Sequence, residues 1–255
     1  MTWAIDLDGC VWVGEEPVPR SAEAVAQLRQ RGQRLVFITN NSSKPVQDYV
    51  DKLAEMGIEA SPEEVITSAV AAASMLDAGT RALVCGGVGV EEALRERGVE
   101  VVDDSDVDAV VVGWYREFNY EDLTKAFTAV RKGARLIGTN DDPTYPQPGG
   151  HDMPGGGAIL SAVAYAAGVE PEVAGKPNQP VADLVTERVG EVELVVGDRP
   201  STDGLLAKRM GARFVVVLTG ATHEDDLDPD EELEVAPDLA TLVERTAEGA
   251  AGDGQ

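Results

Sequence analysis

The sequence predicts an α/β fold, a Rossmann-like doubly wound parallel sheet interrupted by an inserted second α/β domain. Three observations carry that prediction. Short apolar runs alternate with helix-period segments along almost the whole chain. The order strand–helix–strand–helix is that of a parallel sheet covered on both faces. The alternation is also punctuated twice, at 77–80 and at 169–175, where a middle domain would enter and leave a split core.

Taken in order, Trp3–Leu7 reads as a short strand and Ser21–Arg31 as a helix opened by a Ser cap after Pro19. Arg34–Thr39 is the next strand, and Pro45–Met56 a helix stopped by Gly57. Val65–Ile66 is a short extended piece before the Ala-rich helix Ser68–Leu76. The middle repeats the pattern: strand Arg81–Cys85, helix Val90–Arg97, strands Val99–Val101 and Ala109–Val112, helix Tyr120–Lys132, strand Arg135–Ile137. Thr139–Gly157 reads as one long Gly- and Pro-rich loop, a length that usually signals function or disorder. Helix Ala158–Ala167 closes that section. The last third reads as helix Val181–Val189, strand Glu193–Val196, helix Asp203–Met210, strand Arg213–Val217 and helix Pro237–Thr246.

Composition narrows the function classes. The 255 residues are 43% hydrophobic and 26% charged, as in an ordinary globular protein. A formal charge of -25 excludes a nucleic-acid polymer as partner, since no Lys/Arg stripe is available for a phosphate backbone. Any phosphate ligand must therefore meet local positive charge: a metal ion, one or two cations, backbone N–H groups. The same acidity suits a high-salt cytoplasm, a point the sequence leaves open. Cys10 and Cys85 are too few for a disulfide framework and read as buried apolar residues in a reducing cytosol. No signal peptide is expected. No apolar run reaches the roughly 18 residues a membrane span needs, so the expected location is cytoplasmic, with no membrane partner.

The chemistry collects at predicted strand ends, where open α/β sheets bind ligands. The first strand ends in D-L-D-G. If the strand alternation holds, Asp6 and Asp8 point the same way, and two carboxylates so close call for a divalent, oxygen-loving cation. The competing reading is a pair of solvated turn acids before Gly9. The second strand ends in F-I-T-N-N-S, where Thr39, Asn40 and Asn41 offer a hydroxyl, amides and backbone N–H groups to phosphate oxygens, or simply cap a helix. In G-K-P, Pro177 keeps Lys176 extended ahead of a helix; its ammonium is either solvated or a phosphoryl partner. The run G-D-R-P-S-T-D then supplies Asp198 beside the sheet edge and Asp203, which would serve equally as a helix cap.

In this order, D-x-D-G, strand-terminal Thr, Lys and G-D-x-x-x-x-D, the chain resembles the haloacid dehalogenase superfamily of phosphohydrolases over nearly its whole length. G-T-N-D-D-P-T-Y-P, P-G-G-G-A-I and G-K-P-N resemble its NagD-like branch (subfamily IIA), which carries a C2-type α/β cap. The resemblance implies a hydrolase core over 1–78 and 173–255, a cap over 79–172, and a Mg²⁺-dependent phosphatase of a small phosphorylated metabolite. It further implies Asp6 as nucleophile and Asp8 as general acid/base. Mg²⁺ would be held by Asp6, the carbonyl of Asp8 and Asp198, with Asp203 supporting. Thr39, Asn40 and Lys176 would serve the phosphoryl oxygens. Cap-mediated pairing in relatives leaves a homodimer open.

Departures from the family pattern are small. Cys10 replaces a more usual Val or Thr, and Arg199 follows a metal-binding acid; neither is given a role. Asn140, Asp141 and Asp142 are the expected substrate contacts of the long loop. The G-x-G within Gly86–Gly89 lacks a third glycine and reads as a tight turn. His151 reads as solvated and His223 as unconnected with any metal. A receiver-like signalling domain would share the first acids, the hydroxyl and the lysine, but not the second acid pair or the inserted domain. A phosphotransferase or phosphomutase of the same superfamily remains an alternative.

Overall fold

The computed structural model describes residues 1–147, 151–227 and 233–252. The chain runs through β1 (Thr2–Asp6), β2 (Trp12–Val13), β3 (Glu16–Pro17), α1 (Ser21–Gln30), β4 (Arg34–Thr39), α2 (Val46–Glu55), β5 (Val65–Thr67) and α3 (Ser68–Ser74). It continues with β6 (Arg81–Cys85), α4 (Val88–Glu96), β7 (Glu100–Val101), β8 (Ala109–Val112), α5 (Tyr120–Arg131), β9 (Arg135–Gly138), β10 (Thr144–Gln147), β11 (His151–Pro154) and α6 (Gly156–Ala167). The last part holds β12 (Glu172–Val173), α7 (Gln179–Val189), β13 (Leu194–Gly197), α8 (Leu205–Met210), β14 (Arg213–Val217), β15 (Glu234–Ala236) and α9 (Leu239–Gly252). Two compact units emerge, one of Met1–Ile38, Val50–Val65 and Val185–Gln255, the other of Thr39–Tyr49 and Ile66–Leu184.

The first unit is built on a sheet of order β15-β14-β13-β1-β4-β5. β1 pairs in parallel with both β13 and β4, and β14 with β13 and β15. All five residues of β1 are buried, as a central strand with both faces covered requires. The chain winds outward from β1 through β4 to β5, then resumes on the other side at β13. The β1/β13 junction is therefore the topological switch point, where such sheets open a crevice at their carboxyl ends. Two local expectations change here. Ser21 does not cap α1: Arg20 is the cap residue, at φ 65°, and the Ser21 hydroxyl donates to the carbonyl of buried Val11 (3.2 Å). The helix expected from Asp203 opens instead as a wide π turn over Pro200–Gly204 before α8.

The second unit carries a parallel sheet of order β12-β9-β8-β6-β7. Val110, Val112 and Leu136 of that sheet pack with Ala126 and Val130 of α5 and with Ile159, Leu160 and Val163 of α6. Gly138 is required for this: a Cβ there would lie 2.3 Å from Leu160 Cδ2. Asn119 caps α5, its side-chain oxygen accepting from the N–H groups of Glu121 (2.8 Å) and Asp122 (3.2 Å). The long loop is not irregular throughout, since β10 and β11 form an antiparallel ribbon inside it. Trp114 stacks on Tyr145 of that ribbon (4.9 Å between centroids) and donates its indole N–H to the Pro154 carbonyl (3.0 Å). The glycines at 87 and 89 have a packing function as well as a turn: Cβ atoms there would meet the carbonyl oxygens of Ser43 and Lys44 at 2.6 and 2.1 Å. The fold is thus a Rossmann-like α/β core with an inserted second α/β sheet. Among the described residues no helix is long and apolar enough to cross a membrane.

Candidate active site

The register Ile5↔Val196 ends β1 and β13 side by side, so Asp6 and the Gly197–Asp198 step leave the sheet together. Asp203 joins them from the π turn that follows β13. Asp6, Asp198 and Asp203 are all buried, and each brings an oxygen within 4.8 Å of the others. Glycines make room for this crowd. A Cβ on Gly9, which sits at φ +92°, would fall 2.4 Å from Asp198 Oδ2, and one on Gly220 would fall 2.0 Å from the same atom. A Cβ on Gly197 would lie 2.2 Å from Asp203 Cγ. The carboxylates are also tethered: the Ala221 N–H donates to Asp198 Oδ2 (2.6 Å) and the Arg199 N–H to Asp203 Oδ2 (3.1 Å). The Thr219 hydroxyl donates to the Gly9 carbonyl and ties the loop after β14 to the loop after β1. Asp203 therefore acts on its own turn while facing its fellow acids.

Three buried carboxylates at this range repel by about 3 kcal/mol per pair at an effective dielectric of 20. Hard oxygen donors fixed on rigid loops are the set that Mg²⁺ or Ca²⁺ takes, and thiolates and imidazoles are absent from it. The residues present fit a divalent cation.

Asp8 stands apart. β1 stops at Asp6, so alternation does not carry its side chain to the same place; it is exposed and lies outside the three-acid group. Its carboxylate accepts from the indole N–H of Trp12 (3.0 Å), an almost wholly buried ring. The left-handed Gly9 curls the chain back to make this meeting, with the Gly9 N–H donating to the Trp12 carbonyl (2.7 Å). Lys52 Nζ lies over the Trp12 ring (4.5 Å) and donates to the Gly14 carbonyl (2.6 Å). Trp12 was not singled out from sequence; an aromatic four residues beyond a turn acid was the available signal.

In the second unit, Thr39, Lys176 and Asn140 are buried. Thr39 Oγ1 accepts from the Asn41 N–H (3.0 Å). Asn40 grips the main chain of Lys176 on both sides. Its Oδ1 accepts from the Lys176 N–H (2.8 Å), and its Nδ2 donates to the Lys176 carbonyl (3.1 Å) and to Asp142 Oδ2 (3.1 Å). The Asn40 carbonyl receives the Asn140 amide (2.7 Å) and the Ser68 hydroxyl (2.6 Å). Ser68 was likewise unmarked in the sequence. Asp141 is exposed.

The remaining candidates hold structural places. Cys10 and Cys85 are buried and not disulfide-bonded, and burial, with nearby Asp122 adding, pushes the Cys85 thiol up to about 12. His223 is exposed and begins a short acidic turn closed by Asp226. The side chain of His151 lies outside the described residues.

Comparison with known proteins gives a consistent picture. A family model described as haloacid dehalogenase-like hydrolase matches residues 3–100, and a second HAD-hydrolase-like model matches 173–242. The chain is 36% identical to an acid sugar phosphatase of Staphylococcus haemolyticus, over 88% of each protein. Among solved structures it resembles a p-nitrophenyl phosphatase from Archaeoglobus fulgidus (TM-score 0.88, 31% identity, 96% of this chain and 98% of that one). It also resembles a glycerol phosphate phosphatase from Mycobacterium tuberculosis in complex with magnesium (TM-score 0.86, 33% identity, 94% and 75%).

Proposed function

Because the chain belongs to the haloacid dehalogenase-like hydrolases, in their NagD-like phosphatase branch, we propose that it hydrolyses phosphate monoesters through an aspartyl-phosphate on Asp6. At the coarser level it is a phosphatase of small phosphorylated substrates. The observation that carries the finer reading is the three-carboxylate group at the switch point of the first sheet, packed against glycines at which a Cβ would collide with Asp198 or Asp203.

In this reading an Asp6 oxygen attacks phosphorus, and the bond from phosphorus to the ester oxygen breaks. Asp8, exposed and aimed by Trp12, gives its proton to the departing alkoxide. It then takes a proton from water as that water attacks phosphorus, which frees Asp6 and releases inorganic phosphate. Thr39 and Lys176 hold the phosphoryl oxygens, and Asn40 fixes the lysine's main chain. Asp6, the Asp8 carbonyl and Asp198 are the proposed holders of Mg²⁺, with Asp203 supporting them. When bound, the ion offsets the charge of the phosphoryl group and screens Asp6 from its anionic target. We assign 1–78 and 173–255 to the catalytic core and 79–172 to the cap, whose proposed role is to select the leaving group. A reducing cytoplasm, where neither cysteine would be oxidised to a disulfide, is the proposed compartment.

The test is a panel of monoesters (sugar phosphates, glycerol phosphate, p-nitrophenyl phosphate) assayed with Mg²⁺ and with EDTA, for wild type, Asp6→Asn and Asp8→Asn. Turnover should need the metal, and the Asp6 variant should be inactive on every ester. Metal-independent hydrolysis, or an active Asp6→Asn protein, would end this reading.

A further inference from the structure

Asp142 is one of the loop acids expected to contact substrate, and it is hydrogen-bonded to Asn40. Its Oδ2 accepts a hydrogen bond from Asn40 Nδ2, while the same amide group spans the main chain of Lys176 with one bond to the N–H and one to the carbonyl. The amide orientation is forced: with Nδ2 and Oδ1 exchanged, two donors would face each other at Lys176 N–H and two acceptors at its carbonyl. A carboxylate on the N–H₂ end draws charge toward Oδ1, so the bond to Asp142 strengthens the bond to the Lys176 N–H.

The loop that carries Asp142 is itself fixed against Asn40. Asn140 donates to the Asn40 carbonyl (2.7 Å) and accepts from the Asp142 N–H (3.3 Å). Ser68 donates to that same carbonyl (2.6 Å). On the far side, Gly175 leaves room for the clasp, since a Cβ there would meet Asn40 Oδ1 at 2.6 Å. The Gly175 N–H donates to the Thr139 carbonyl (2.8 Å), one residue before Asn140. The start of the long loop thus holds residues 175 and 176 twice, once main chain to main chain and once through Asn40.

We infer that Asp142 is a positioning residue for Lys176, acting through the Asn40 amide. The inference rests on the reading of Lys176 as a phosphoryl ligand. It assigns the first part of the loop to aiming a cation rather than to touching the leaving group, and leaves the exposed Asp141 and the β10–β11 ribbon for substrate.

A double-mutant cycle tests it. Asp142→Ala, which removes the acceptor, should lower kcat/KM for p-nitrophenyl phosphate by about tenfold, the scale of one charge-assisted hydrogen bond. It should weaken competitive inhibition by inorganic phosphate by a similar factor. Asp142→Asn keeps an acceptor oxygen and should stay within about threefold of wild type. In a Lys176→Met background, Asp142→Ala should change kcat/KM by no more than about twofold. A full tenfold loss in that background, or no loss in the wild-type background, overturns the inference. A Lys176→Met enzyme with wild-type activity would instead overturn the role of the lysine, so the two failures are separable. Should the alanine variant not fold, Asp142→Ser, too short to reach Asn40, carries the same expectations.

Discussion

Gly220→Ala is the most exacting perturbation of the three-acid group, because it adds one methyl group and no charge. The backbone at Gly220 lies outside the left-handed region, so an alanine there pays in steric terms alone. Its Cβ would stand 2.0 Å from Asp198 Oδ2 and 2.6 Å from both Cβ and Cγ of the same side chain. Real contacts of this kind need well over an ångström more, and Asp198 is only 4% exposed, with Oδ2 held by the Ala221 N–H. Either the loop retreats, an overpacking cost of about 1–3 kcal/mol, or the carboxylate turns and gives up a charge-assisted hydrogen bond of about 1.5–3 kcal/mol. Both routes move a proposed metal ligand off its aim. The expected result is a lower urea midpoint in EDTA and at least a roughly tenfold weaker Mg²⁺ affinity by calorimetry. Gly32→Ala is the control: it sits at φ +69° with open space around it, so it should cost about 1–2 kcal/mol from backbone strain and leave Mg²⁺ binding unchanged. If Gly220→Ala binds Mg²⁺ like wild type and unfolds no earlier than the control, the close-approach argument is wrong.

Removing one charge from the acid group should have opposite effects with and without metal. Asp198→Asn, which keeps an acceptor for Ala221, should raise the melting temperature in EDTA by a few degrees, the scale of about 1 kcal/mol, and abolish the rise that Mg²⁺ gives to wild type; scanning calorimetry in the two buffers reads both. Cys85 makes a pH prediction. Its thiol ionises at about 12 in the fold against 9.0 for a free thiol, so the stability it contributes is complete below pH 9 and is lost as pH climbs toward 12. Urea titrations at pH 8, 9 and 10 should show wild type losing up to about 1.4 kcal/mol per pH unit more than Cys85→Ala, and parallel curves would refute the burial argument.

Apolar patterning delivered the regular strands. Arg34–Thr39, Arg81–Cys85, Ala109–Val112 and Arg213–Val217 form over the residues that their sequence runs mark, because each is a short buried run between turn signals. The β2–β3 and β10–β11 ribbons escaped for the opposite reason. They are two to four residues long, carry Pro17, Pro146 and Pro154, and have no apolar alternation to read. Ser21 misled because a serine after proline suits a helix cap, and only the fold shows that its hydroxyl is taken by Val11, ten residues back. In the site, the order of the acid motifs foretold that Asp6, Asp198 and Asp203 would meet. The direction of Asp8 could not be foretold once the strand stopped two residues short of it. Ala221, Ser68 and Trp12 carry ordinary residue types in ordinary contexts. Their importance lies in partners that only the tertiary structure supplies.

The position of β1 between β4 and β13 also sets a timetable for synthesis. Asp6 leaves the ribosome before its partners Asp198 and Asp203, which follow about 190 residues later. At about 5–20 residues per second, the interval is roughly 10–40 s. Throughout it, the edge of β1 that will pair with β13 has no partner strand, and Asp6 belongs to no three-acid group. Cation binding at this group can therefore reward only a chain extended past Asp203, and a nascent fragment ending before β13 gains nothing from it. The same ion proposed for chemistry would then act, during biosynthesis, as a late seal on a sheet whose central strand was made first.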